Sequence, residues 1–175
     1  MVAADRDLSA VANAVGPGTV AAVTVANALH HMDPVTVFDA CARLVTPSGG
    51  VAVITHGQPL WLAESDWTRA LRVYLEHRAG PLRSICGTDP TTLEERRSRL
   101  TRAGFTRVEV LQHRYLATVD AAYVLGHLTS AMPADLIAAD RRADFEQGLH
   151  EVLRPYEDRG GPVEDVAVSV LIGQR

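Results

Sequence analysis

Lysine is absent from the 175 residues, and all 17 basic side chains are arginine. A pyridoxal Schiff base, a P-loop lysine and the ATP-binding lysine of kinases are therefore excluded from this chain, since each needs a primary amine. No G-x-G-x-x-G and no G-x-S-x-G stretch occurs, so neither a dinucleotide loop nor a hydrolase nucleophile elbow lies within the sequence. H-E-x-x-H and C-x-x-C are missing too. Cysteine is scarce: Cys41 falls on an apolar helix face and Cys86 in a loop, a spacing that suggests neither a disulfide framework nor a thiolate zinc site and fits a reducing cytoplasm. The longest apolar run, around Val20 to Leu29, is too short to span a bilayer, and no basic segment precedes an apolar core at the N-terminus. The expectation is a soluble, cytoplasmic chain with no membrane partner. Excess positive charge is lacking as well. A formal net charge of -4 argues against a general nucleic-acid binder and favours small substrates.

With 47% hydrophobic and 22% charged residues, the chain has enough apolar material for one globular domain with a real core. Its most informative stretch runs from Ala22 to Thr55. Val23, Thr24, Val25 and Ala26 form a short apolar, β-branched run without alternation, the pattern of a strand covered on both faces. Asp33 before Pro34 gives an N-cap followed by a proline at the first helical position, where its missing N–H costs nothing. Val35, Phe38, Ala42 and Val45 follow helical spacing, with Val37, Cys41 and Leu44 widening the face. Pro47, Ser48, Gly49 and Gly50 should end this helix, and Val51 to Ile54 make a second buried strand. The unit over 22–55 is a βαβ crossover, which brings the loops after Ala26 and Ile54 to one sheet edge, where ligands bind in open α/β folds.

The strand ending in VANALHHMD, the helix closing with RLVTPSGG and the strand VAVIT resemble the fourth strand, following helix and fifth strand of class I S-adenosylmethionine (SAM) dependent methyltransferases, closest to the small-molecule branch called type 11. Leu100 to Tyr115, LTRAGFTRVEVLQHRY, resembles the helix, Ala-Gly-Phe turn and sixth strand of that fold, and VAVSVLIGQR resembles its last strand. Val2 to Asp5 resembles the end of the third strand. The resemblance implies a Rossmann-like α/β sheet, N-terminally truncated, with strands 3 to 7 and flanking helices. On this reading residues 1–175 are a single partial domain: the βαβ unit at 22–55, a lid-like insertion at 56–90, and a C-terminal αβ part with a helical addition at 91–175. The first strand, the glycine-rich SAM loop and the ribose-binding acid of the family are expected before residue 1.

The resemblance also implies site residues. An acid at the place of Asp5 accepts a hydrogen bond from the adenine amine in the family, while on its own position Asp5 serves equally as the cap of the next helix. Asn27, Ala28 and Leu29 fall in the loop facing the cofactor. His30 and His31 follow, and either imidazole has the titration range of a general base for a hydroxyl or amine acceptor, a structural role being the alternative. A metal bound by His30, His31 and Asp33 is set aside for want of a distant third ligand. His56, Gln58, Trp61 and Trp67 gather polar and aromatic groups past the second strand, as a substrate wall would, with His56 and Trp61 the substrate candidates; Trp67 shares helical spacing with Ala70, Leu71, Tyr74 and Leu75 and reads as core.

Farther on, Thr91 and Glu94 read as a capping box for a helix ending at Gly104, with Arg96, Arg97, Arg99 and Arg102 on a solvated face. A strand over Arg107 to Leu116, helices over Asp120 to Ser130 and Arg141 to Leu153, and a last strand over Val166 to Ile172 complete the pattern. Additions at this place often cover the active site or make dimer contacts in the family, so the resemblance makes Tyr123, His127 and His150 further substrate-facing candidates, a surface or core role being the commoner alternative for each. The function implied is SAM-dependent methyl transfer to a small-molecule acceptor, with the isolated chain expected to be inactive or weak. The alternative is a non-catalytic, methyltransferase-like subunit that pairs through an open sheet edge. The expected cover for that edge is a second copy, a separate N-terminal half, or rearranged residues before Thr19.

Overall fold

The step from loop to helix at Asp33 forms as its residue types require. The Asp33 carboxylate accepts from the backbone N–H of Val35 at 3.4 Å and of Thr36 at 2.9 Å, and Pro34 takes the first helical position. The computed structural model describes residues 8–82, 89–132 and 141–175. The expected strand over Val2 to Asp5 lies outside them. The chain divides into two compact units, the first drawn from residues 1–57, 87–113 and 167–175, the second from 58–86 and 114–166.

In the first unit, helix α1 (Leu8–Val15) is followed by strand β1 (Val20–Ala26), helix α2 (Pro34–Leu44) and strand β2 (Val45–His56). Strands β1 and β2 pair in parallel, with Val23 opposite Val51 and Ala26 opposite Ile54, so the βαβ reading holds. The junction between α2 and β2 differs from expectation. Val45 is extended, at φ -75° and ψ 148°, and begins the strand instead of closing the helical face. Pro47 explains this, because it biases Thr46 away from helical geometry and has no N–H to continue the helix. Gly49 and Gly50 accordingly lie inside β2, not in a stop turn. A Cβ on Gly50 would stand 2.6 Å from the carbonyl oxygen of Gly173, so the ladder to the last strand requires glycine there. Val35, at 50% exposed, leaves the apolar face, which is formed by Val37, Phe38, Ala40, Cys41, Ala42 and Leu44.

Helix α3 (Asp66–Ala79) belongs to the second unit, and helix α4 (Pro90–Arg102) to the first. Helix α4 starts two residues before the expected capping box. Asp89 is the N-cap, accepting from Thr92 N–H at 2.8 Å, and Pro90 occupies the first turn. Glu94 is left to pair with Arg97 at 3.7 Å. Gly104, at φ +99°, ends the helix as its lack of a Cβ allows. Strands β3 (Arg107–Thr118) and β4 (Val163–Gln174) complete a four-stranded sheet in the order β1-β2-β4-β3, with β4 antiparallel to β2.

Among the described residues β1 has β2 as its one neighbour. It is not covered on both faces: only Val25 is buried, and Ala21, Ala22, Thr24 and Ala26 are exposed. The core of this unit lies instead around Phe38, Val51, Val53, Leu100, Phe105 and Leu171.

In the second unit, helix α3 shares one apolar cluster with helices α5 (Ala121–Ala131) and α6 (Arg142–Glu157), through Leu71, Leu75, Val124, Leu128, Leu149 and Leu153. Residues 58–82 therefore do not stand alone as an insertion but supply part of a core. Tyr74 ties α3 to α6 by donating its hydroxyl to the Phe145 carbonyl at 2.8 Å. Trp67, as expected, is core at 4% exposed, and its indole donates to the Val163 carbonyl at 2.8 Å.

Candidate functional site

The two loops that leave the C-terminal ends of β1 and β2 are tied together by one side chain. Asn27 adopts a left-handed conformation, φ +46°, which asparagine tolerates better than most residues. Its own N–H donates to the Ile54 carbonyl at 2.9 Å, the last backbone bond of the parallel ladder. Its amide oxygen then accepts from the His56 backbone N–H at 2.8 Å. The chain turns away after Asn27 into a short 3-10 turn, Leu29–His31, closed by His31 N–H to Ala28 O at 2.9 Å. Leu29, 3% exposed, anchors that turn in the core of the first unit.

Anchoring Leu29 leaves its neighbours outward. His30 and His31 are both exposed, with ring centroids 3.9 Å apart. Asn27 and His56 are exposed and Ala28 is half-buried. Asn27, Ala28, Leu29, His30, His31 and His56 are thus gathered at one strand edge of the first unit. Asp33, next to them, has its carboxyl held below the usual range, chiefly by the Thr36 hydroxyl and backbone N–H. Among the described residues no group of three or more histidine, cysteine or acidic side chains converges as metal ligands would.

Other expected site residues are placed elsewhere. Trp61, read as a substrate wall, is 2% exposed and packs in the apolar cluster of the second unit with Trp67 and Leu71. It is core, because Leu60 and Trp61 form an apolar turn that buries both side chains. Asp5 lies outside the described residues. Of the later candidates, His150 is exposed, His127 is half-buried and Tyr123 is 41% exposed.

Arg96, expected on the solvated face of α4 with the other arginines, is instead buried. It is 8% exposed and donates to the Thr55 hydroxyl at 3.4 Å, next to His56. Its position was readable: Leu93, Arg96 and Leu100 stand at i, i+3 and i+7, one helix face, and both leucines are buried.

A shallow pocket of about 230 Å³ lies wholly in the second unit, lined by Asp66, Trp67, Tyr156, Arg159 and Val163 among others. None of the strand-edge residues touches it. No helix among the described residues is long and apolar enough to cross a membrane.

No sequence family and no curated protein sequence matches the chain. Its structure is similar to that of a protein assigned as a methyltransferase from an antibiotic biosynthesis pathway of Anabaena variabilis, with TM-score 0.50 and 16% identity over 91% of this chain and 68% of that one. A protein of Anaeromyxobacter dehalogenans assigned as a type II methyltransferase gives TM-score 0.49 and 18% identity over 100% of this chain and 69% of its own. Phosphoethanolamine N-methyltransferase 2 of Haemonchus contortus, in complex with S-adenosyl-L-methionine, gives TM-score 0.42 and 14% identity over 91% of this chain, which spans 34% of the length of that enzyme. The sheet order and the likeness to the Anabaena structure give this chain the Rossmann-like α/β fold of the class I SAM-dependent methyltransferases.

Proposed function

We propose that this chain serves SAM-dependent methyl transfer to a small-molecule acceptor. The observation that carries the reading is the strand edge closed by the bond from His56 N–H to Asn27, on a fold of the methyltransferase kind, with two imidazoles beside it. In open α/β sheets ligands bind outside the carboxyl ends of the strands, which is where these residues stand. The edge fits the cofactor in its donor set. Asn27 uses its amide oxygen within the protein and keeps its amide N–H groups for a ligand, while Ala28 offers backbone beside it and buried Leu29 fixes the turn. Asp5 is the proposed adenine contact and His56 the proposed acceptor contact.

S-adenosyl-L-methionine supplies an electrophilic methyl group on its sulfonium. An O–H or N–H acceptor sheds a proton as its lone pair is used, and a neutral imidazole of His30 or His31 takes that proton. Alignment of acceptor and methyl group supplies much of the rate, which is the part played by the loop held between Asn27 and His56.

The test is titration with S-adenosylhomocysteine followed by amide chemical shifts, which also registers millimolar binding. Shifts centred on Asn27, Ala28 and Leu29, weakened by Asp5→Ala, are expected. Saturating ligand that leaves those amides unmoved would overturn the proposal. His30→Ala and His31→Ala then separate the roles: the variant lacking the base loses turnover and keeps its affinity for S-adenosylhomocysteine.

A further inference from the structure

The pocket of about 230 Å³ in the second unit is lined by the start of α3 and by the turn that joins α6 to β4. The residue types of that turn set its shape. Gly160 and Gly161 both take positive φ, +104° and +98°, so the chain reverses within a few residues, and Gly161 N–H donates to the Tyr156 carbonyl at 3.1 Å across the turn. Pro162 and Val163 are thereby returned to the neighbourhood of Tyr156. Two bonds fasten the aromatic lining: the Trp67 indole donates to the Val163 carbonyl at 2.8 Å, and the Tyr156 hydroxyl donates to the Asp66 carbonyl at 3.2 Å. Each ring spends its polar group on backbone, so what it adds to the pocket is apolar surface, which Pro162 and Val163 continue.

Of the lining residues only Arg159 is a cation. Its Nε donates to the Pro155 carbonyl at 2.7 Å, and its guanidinium stands over the Tyr156 ring, 5.2 Å from the centroid. One end of the fork is held in this way, while its Nη groups have no acidic partner among the described residues. The acid of the same pocket, Asp66, has its charge met by Arg69. A planar cation already fixed beside an apolar surface binds a carboxylate through two parallel N–H donors, and loses less freedom in doing so than a mobile side chain would.

We propose that this pocket binds a small carboxylate that carries an apolar group, of the arylacetate class: the carboxylate pairs with the Nη groups of Arg159, and the apolar group lies against Trp67, Pro162 and Val163. The site lies within the second unit and does not depend on the methyl-transfer reading. A neutral ligand of the same shape leaves Arg159 without its counter-charge, and a carboxylate without the apolar group leaves the ring surface uncovered.

The experiment uses the full chain at low ionic strength and follows the Trp67 indole N–H and the Gly161 amide by NMR during titration with phenylacetate, with the neutral phenylacetamide and with acetate as comparators. Saturable shifts with phenylacetate are expected, with either comparator about fivefold weaker, the upper end for an exposed ion pair. Arg159→Gln should weaken phenylacetate by about the same factor and leave phenylacetamide unchanged, while Arg159→Lys, which keeps the charge and loses the fork, should weaken it less. Equal affinity for phenylacetate and phenylacetamide, no response at either signal, or full phenylacetate binding by Arg159→Gln would each overturn the proposal. Should Arg159→Gln fail to fold, the comparison of the three ligands on the unaltered chain still decides.

Discussion

The backbone N–H of His56 is bonded to the side chain of Asn27 at 2.8 Å, where a continued strand would offer a backbone carbonyl. The asparagine amide thus extends the β1–β2 ladder by one rung while its own backbone turns left-handed and releases the loop that carries His30 and His31.

Two substitutions at Asn27 separate these contributions. Asn27→Gly keeps the backbone conformation and loses the bond, for a cost of about 1 kcal/mol. Asn27→Ala loses the bond and keeps a Cβ in the left-handed region without the polar side chain that makes it tolerable there, costing about 1 kcal/mol more than glycine. Urea unfolding of both variants checks this; equal stability of the two would show that the left-handed turn is not enforced.

Acid should weaken the start of α2. The Asp33 carboxyl is held below its ordinary value of 3.8, first by the Thr36 hydroxyl and then by the Thr36 backbone N–H. A depressed native value means that the stabilisation is complete above the unfolded value and is lost as pH falls through the native one. The stability difference between the unaltered chain and Asp33→Asn, which still caps, should therefore be flat near neutrality and shrink below about pH 4. A difference that persists undiminished at the acid end would remove the carboxylate from the account.

Burial pushes the Cys41 thiol up to about 11 from an ordinary 9.0. Thiolate, the reactive form, is then rare in the folded protein near neutrality. In a Cys86→Ser background, labelling of Cys41 by an aromatic disulfide reagent should be at least tenfold slower in buffer than in denaturant. The sign for stability follows: the contribution is full below the unfolded value and is lost as pH rises toward the folded one. Fast labelling under native conditions would mean that the α2 face opens readily.

Much of this fold is legible because its signals are local and agree with one another. Asp33 and Pro34 specify the same helix start, and Val23 to Ala26 and Val51 to Ile54 are apolar runs of strand length that do pair in parallel. Where two local signals compete, the stronger decides the element's start or end. Asp89 with Pro90 outranks Thr91 with Glu94 because a cap and a proline at the first turn act together. Val45 fits a helix by spacing, yet Pro47 two residues later ends the helix before it. At the candidate site the legible part was the strand edge and its loop. Burial of Trp61 and Arg96 depends on which faces meet, and exposure of β1 depends on its being at the sheet edge; single-sequence periodicity records neither. The rung made by Asn27 joins residues 29 positions apart, and no local spacing encodes it.

The edge position of β1 also divides its amides by parity. The N–H of Asn27 points toward β2, so those of Val25 and Val23 do as well, while those of Thr24 and Ala26 point away from the ladder. In deuterium oxide the strand should therefore behave as two interleaved populations, the odd-numbered amides retaining their protons and the even-numbered ones losing them early. Any molecule that zips onto this edge would erase the distinction and slow Thr24 and Ala26 selectively, making these two amides a built-in sensor of strand addition.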